Sequence, residues 1–224
     1  MSASKSKETE RLLHDLFSGK PKLRERALLA VNAKDREKVR HLARVRQDAK
    51  FLVDVMLSDL GRASGSIRKD FSSQFWRRTT IRALAATVDG IIFALKQVAL
   101  ASAQLTGRPL SNGDAEFLAE KSLSPSGKVR MPPFRDHFKQ AFKLFAKAHG
   151  TTCPTDFGLK GFDALCETVE LRHRVTHPKS FMTFCVSDDE TKRAGVAIDW
   201  LSRELTQLLE ASHSALGPKL APPP

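Results

Sequence analysis

Residues Lys69 to about Ala103 carry the strongest helical pattern in the chain, and any fold must be built around them. Phe71, Phe75, Leu84, Val88, Ile91, Ile92, Leu95 and Val98 recur at helical spacing and define one buried side. Ala85, Ala86 and Gly90 are small and let a second helix come close. Asp89 is out of place in so apolar a segment, because a buried carboxylate needs a partner. It either sits at the rim, meeting solvent or a local Arg, or reaches across to another helix.

The flanking patterns are helical too. From Lys34-Asp35 to about Leu60, Val39, Leu42, Val45, Ala49, Leu52, Val53 and Met56 keep the same spacing; Gly61 is expected to end this helix, with Gly65 in the turn. Asp136 to His149 is amphipathic, and a helix beginning near Gly161 follows the loop Thr151 to Gly158, where Thr155-Asp156 offers a cap. Ser187-Asp188-Asp189-Glu190 is a good start for a last helix running to about His213. Short helices are expected at Glu10–Phe17, Leu23–Ala33 and Gly113–Lys121. Ser180 to Val186 is short and apolar enough for a strand or an extended pass. The fold class is therefore all-α, an up-and-down bundle with a possible short extended segment near 180–186. Its parts are a basic, partly helical extension at 1–44, a helical domain at 45–213 and a disordered Pro-rich tail at 214–224.

The chain has 37 Lys and Arg against 25 Asp and Glu, a formal charge of +12, which favours nucleic acid or another polyanion as partner. A merely basic, soluble surface is the plain alternative. Cys153, Cys166 and Cys185 are widely spaced and form no CxxC pair, so neither a disulfide framework nor a zinc ribbon is indicated, and a reducing cytoplasm fits. No run approaches eighteen apolar residues, so no membrane span is expected. Phosphate-binding GxxxxGK[ST] and dinucleotide-binding GxGxxG patterns are absent, as are Ser, Cys and Lys nucleophile motifs.

Chemistry concentrates in Glu170-Leu171-Arg172-His173-Arg174-Val175-Thr176-His177-Pro178-Lys179. Phe162, Leu165 and Val169 form one apolar stripe of this helix, and Ala164, Leu171 and Val175 a second nearly opposite, so it should be buried on two sides. Pro178 biases His177 out of the α region and stops the helix. His173 and His177, four apart, share a face. Arg172 and His177 sit roughly 140° apart on a straight helix and converge only if the last turn distorts. Cations at a helix C-terminus also gain from the macrodipole whatever their function. A metal reading of Cys166, Glu170, His173 and His177 is weak, because one ion binds an i, i+4 pair from a helix and not four positions strung along it. No cofactor is indicated.

Arg172-His173-(Arg174-Val175-Thr176)-His177, followed by Pro-Lys, resembles the signature of HEPN domains, an all-helical nucleotide-binding and ribonuclease superfamily. The resemblance extends over roughly residues 45–211 and is firmest at 71–100 and 160–202. It implies a homodimer with two motifs facing one another, metal-independent RNA cleavage leaving a 2′,3′-cyclic phosphate, and a toxin or antiphage defence role, in which an antitoxin or regulatory protein can be a further partner. Within it, Arg172 would bind the scissile phosphate, His177 would carry protons, His173 would assist, and Asp89 would orient one of them. Arg78, Arg82, Arg174 and Lys179 are further candidates for nucleic-acid contact, although Arg78 and Arg82 can equally pair with nearby acids. The same resemblance allows a non-catalytic binding or protein-interaction module.

Overall fold

A computed structural model describes residues 33–119 and 133–216, and there the chain is all helical. Seven helical elements follow in order: α1 (Ala33–Lys69), α2 (Gln74–Thr106), α3 (Asn112–Leu118), α4 (Phe134–His149), α5 (Lys160–Thr176), α6 (Phe181–Phe184) and α7 (Asp188–Leu216). The helices expected at Glu10–Phe17 and Leu23–Ala33, and the Pro-rich tail from 217, lie outside the described residues. A single helix, α1, crosses residue 44, and Val39 and Leu42 on its near side are buried.

The core forms where the 3.6-residue spacing placed it. Leu84, Val88, Ile91, Ile92, Leu95 and Val98 of α2 are all buried. By length and composition α2 could cross a membrane, but 67% of its most apolar window is buried in the bundle, as in a core helix. Phe71 and Phe75 are exceptions, exposed ahead of and in the first turn of α2. Ser73 ends a turn and caps the helix by accepting the Trp76 N–H, so the helix starts at Gln74 and not at Lys69.

α1 and α2 form an antiparallel pair: Leu42 clusters with Ala101, while Met56 meets Gly90 and its carbonyl accepts from Thr87 Oγ1. A Cβ at Gly90 would lie 2.1 Å from Met56 Sδ, so the close approach expected of this glycine is real. Ala85 is buried there too, but Ala86 faces outward.

Gly61 and Gly65 do not end α1. They lie on its outer side, with nothing within 4 Å of where a Cβ would sit. Each costs the helix about 1 kcal/mol relative to Ala. Leu60, Ala63 and Ile67 are buried on the other side of the same turns, and that burial outweighs the cost.

α5 and α7 are also antiparallel, with Glu167 near Arg193 and Gly161 against Trp200. α4 instead runs in the same sense as α2, since Lys96 approaches His137 and Ser102 approaches His149. The connection through α3 returns the chain. α4 thus covers the C-terminal half of α2, leaving the N-terminal half to α5.

Two packing details carry predictions. A Cβ at Gly161 would lie 2.4 Å from Trp200 Cγ and 2.5 Å from its Cβ, an atom that cannot swing aside. Gly161→Ala should therefore lower stability by about 1–3 kcal/mol in urea unfolding, overriding the helix propensity it gains. Arg77 is buried at the start of α2. It donates to the Phe71 and Val186 carbonyls, both at 2.8 Å, and pairs with Asp188 at the start of α7. Arg77→Met should cost about 3 kcal/mol by removing its bonds to the Phe71 and Val186 carbonyls and untying α7 from α2. Unchanged stability by the same measurement would contradict that role.

Candidate nucleic-acid site at the end of α5

α5 stops where Pro178 requires. Its last helical residue is Thr176, and His177 leaves helical geometry at φ −126°, ψ 65° while its N–H still reaches the His173 carbonyl at 2.9 Å. Val175 and Phe162 are fully buried, so the helix is held on both sides as its two stripes demand. His173 and His177 are open to solvent, one turn apart.

Asp89 does not stay alone at the rim. Its Oδ2 accepts from Arg172 Nη1 at 2.8 Å, bridging α2 and α5. The pair is substantially exposed, with side chains 57% and 36% accessible, so it adds about 0–1 kcal/mol to stability. Its effect is to orient the guanidinium, and Asp89 does so for Arg172 and not for a histidine. On α2, Arg82, Ala86, Asp89 and Phe93 make one exposed stripe, and Glu170, His173 and His177 are exposed on α5 and at its end.

The other expected nucleic-acid contacts divide. Lys179 is exposed. Arg82 Nη2 donates to the Val175 carbonyl at 2.5 Å, serving a helix-end carbonyl that lacks an intrahelical donor. The Arg78 guanidinium lies 3.8 Å above the Phe184 ring, a cation–π contact. Arg174 is committed most heavily: Nη1 donates to the Thr183 and Cys185 carbonyls at 3.0 and 2.8 Å, and Nη2 to Glu190 Oε1 at 2.6 Å. Burial pushes the Glu190 carboxyl up, but the Ser187 N–H and the Arg174 charge outweigh it and hold its pKa below the ordinary value. The cleft on that side of α5, about 310 Å³, is lined by Glu167, Glu170 and Glu190 against only Arg174 and Arg193, which disfavours a phosphate there.

Comparison with protein-family models, with curated proteins and with solved structures gives no match to this chain. The site therefore rests on its own residues.

Ser180 to Val186 is not a strand. Ser180 and Thr183 form a capping box around the single turn α6, and the chain is extended at Ser180 before it and at Cys185 after it. Gln74 holds that extended piece as a strand partner would, donating to the Val186 carbonyl at 2.9 Å and accepting the Val186 N–H at 2.8 Å. A side-chain amide standing in for backbone leaves no sequence signal.

Among the described residues no group of three or more His, Cys, Asp and Glu is placed to hold a metal ion. Cys166 is buried, and that burial pushes its thiol pKa up. The Thr155-Asp156 pair does not cap α5; Asp156 Oδ1 accepts the Gly158 N–H in the preceding loop.

Proposed function

We propose that the chain is a metal-independent endoribonuclease of HEPN type, acting in the cytoplasm as a homodimer in a toxin or defence role. The observation that supports it best is the end of α5. Arg172 is half-exposed and paired with Asp89, and two accessible imidazoles follow within five residues. In this reading one imidazole takes the 2′-hydroxyl proton as O2′ attacks the adjacent phosphorus. Arg172 balances the charge gathering on the phosphoryl oxygens. The P–O5′ bond breaks, and O5′ receives a proton from a second imidazole, leaving a 2′,3′-cyclic phosphate and a 5′-hydroxyl. His177 carries protons and His173 assists; a second copy across the α2–α5 stripe doubles the set.

A non-catalytic RNA-binding or protein-interaction module is the second reading. It is favoured by the Asp89–Arg172 pair itself, since the carboxylate partly neutralises the cation a phosphate would need. A substrate with one 2′-deoxy residue at the cut position separates the two. The nuclease leaves that bond intact while still binding the strand; cleavage at the deoxy position would rule out 2′-hydroxyl attack.

A further inference from the structure

We propose that Phe181 is a stacking platform for a nucleobase of single-stranded RNA, flanking the phosphate held at Arg172; this rests on the nucleic-acid reading above. Phe181 and Met182 are 77% and 76% exposed, among the most exposed large apolar side chains of the described residues. They do not sit on a loose loop. The Lys179 and Ser180 N–H groups donate to Thr183 Oγ1 at 3.1 and 2.9 Å, and the Thr183 N–H donates back to Ser180 Oγ. Arg174 holds the turn from beneath through the Thr183 and Cys185 carbonyls, and Arg78 covers the Phe184 ring. A four-residue turn is thus fixed on its inner side while its two bulkiest outer side chains are left in water.

Its chain neighbours and the charge of the protein point to the occupant. Lys179 and His177 lie two and four positions before Phe181 in the chain, and the molecule carries +12 overall. An exposed apolar ring close in the chain to Lys179, on a basic protein, fits a ligand that pairs a flat π-face with phosphate, and single-stranded nucleic acid does so without needing a sequence code. His177 and Phe181 are four positions apart, at most roughly 14 Å between Cα atoms, within reach of a few nucleotides. A base on Phe181 would fix which phosphate lies at Arg172 and would give the site a strand direction.

The test uses the full chain and a fluorescein-labelled 2′-O-methyl oligoribonucleotide, which cannot be cut. Phe181→Ala should weaken its binding by about 5- to 100-fold. The slope of log affinity against log salt should stay the same, since no phosphate contact is lost. Phe181→Trp should keep affinity, and its indole fluorescence should fall on binding. Phe51→Ala, removing a 72% exposed ring on α1, should change nothing. An abasic strand of equal length should bind wild type and Phe181→Ala alike. Equal affinity of Phe181→Ala and wild type for the intact strand, with Arg172→Ala still weakened, overturns the stacking assignment alone. Failure of wild type to bind the strand overturns it together with the proposed function. A shift of Phe181→Ala to a smaller species in sedimentation would show that Phe181 holds a second copy of the chain, and would also overturn it.

Discussion

His177→Ala is expected to lower the rate of RNA cleavage by about 10²- to 10⁴-fold, the usual contribution of a positioned proton carrier. His177 is exposed and past the last helical turn, so no packing is lost and the variant should keep the wild-type urea midpoint. Arg172→Ala should fall in activity by a similar factor, because a developing phosphoryl charge loses its cation. Its stability should change by less than about 1 kcal/mol, since the Asp89 pair is solvent-screened. Asp89→Asn separates orientation from charge: it should leave Arg172 in place and cost far less activity than Arg172→Ala. An Asp89→Asn variant as inactive as Arg172→Ala would instead put the carboxylate itself in the chemistry.

The second large effect is on stability against pH, and it centres on His149. This ring is buried at the end of α4, with Nδ1 against the Phe145 carbonyl at 2.8 Å and Nε2 facing Ser102 Oγ at 3.2 Å and Arg46 Nη2 at 3.4 Å. Burial is the main force on it, aided by the Arg46 and Arg108 charges, and its pKa is lowered from 6.5 to about 4. The native state therefore holds the neutral ring, while the unfolded chain takes up a proton below pH 6.5. The stability this ring contributes is complete above that pH and is lost as pH falls towards 4, by about 3 kcal/mol in all. Glutamine at 149 cannot titrate, so the wild-type advantage over His149→Gln should shrink by about 2 kcal/mol between pH 7 and pH 4.5. Comparing the two chains cancels the carboxylates they share. A gap independent of pH would show that His149 is not buried in the neutral form.

What the sequence revealed depended on whether the signal was periodic or positional. The core of α2 was readable because six apolar residues kept one phase through about four turns. Asp89 announced itself by breaking that phase, and its partner proved to be Arg172. The end of α5 followed from Pro178 alone. Two readings failed for a common reason: local residue preferences were weighed without the packing that overrides them. Gly61 and Gly65 look like a stop but sit on the free side of a helix whose other side is buried. Ser180 to Val186 looks extended, yet a Ser180–Thr183 cap closes one helical turn within it. The roles of Arg82 and Arg174 were beyond sequence for another reason. Counting charges does not show which backbone carbonyls lack donors, and these two guanidinium groups are placed by that need. Of the candidate cations, Arg174 is the one most fully committed to the fold, while Lys179 is exposed.

The most direct measurement is the chemistry of the fragment ends when RNA is incubated in EDTA with wild type and with His177→Ala. The account predicts 2′,3′-cyclic phosphate and 5′-hydroxyl ends from wild type, and intact RNA with His177→Ala. Equal cleavage by the two proteins, or no cleavage of any RNA by wild type, would contradict it.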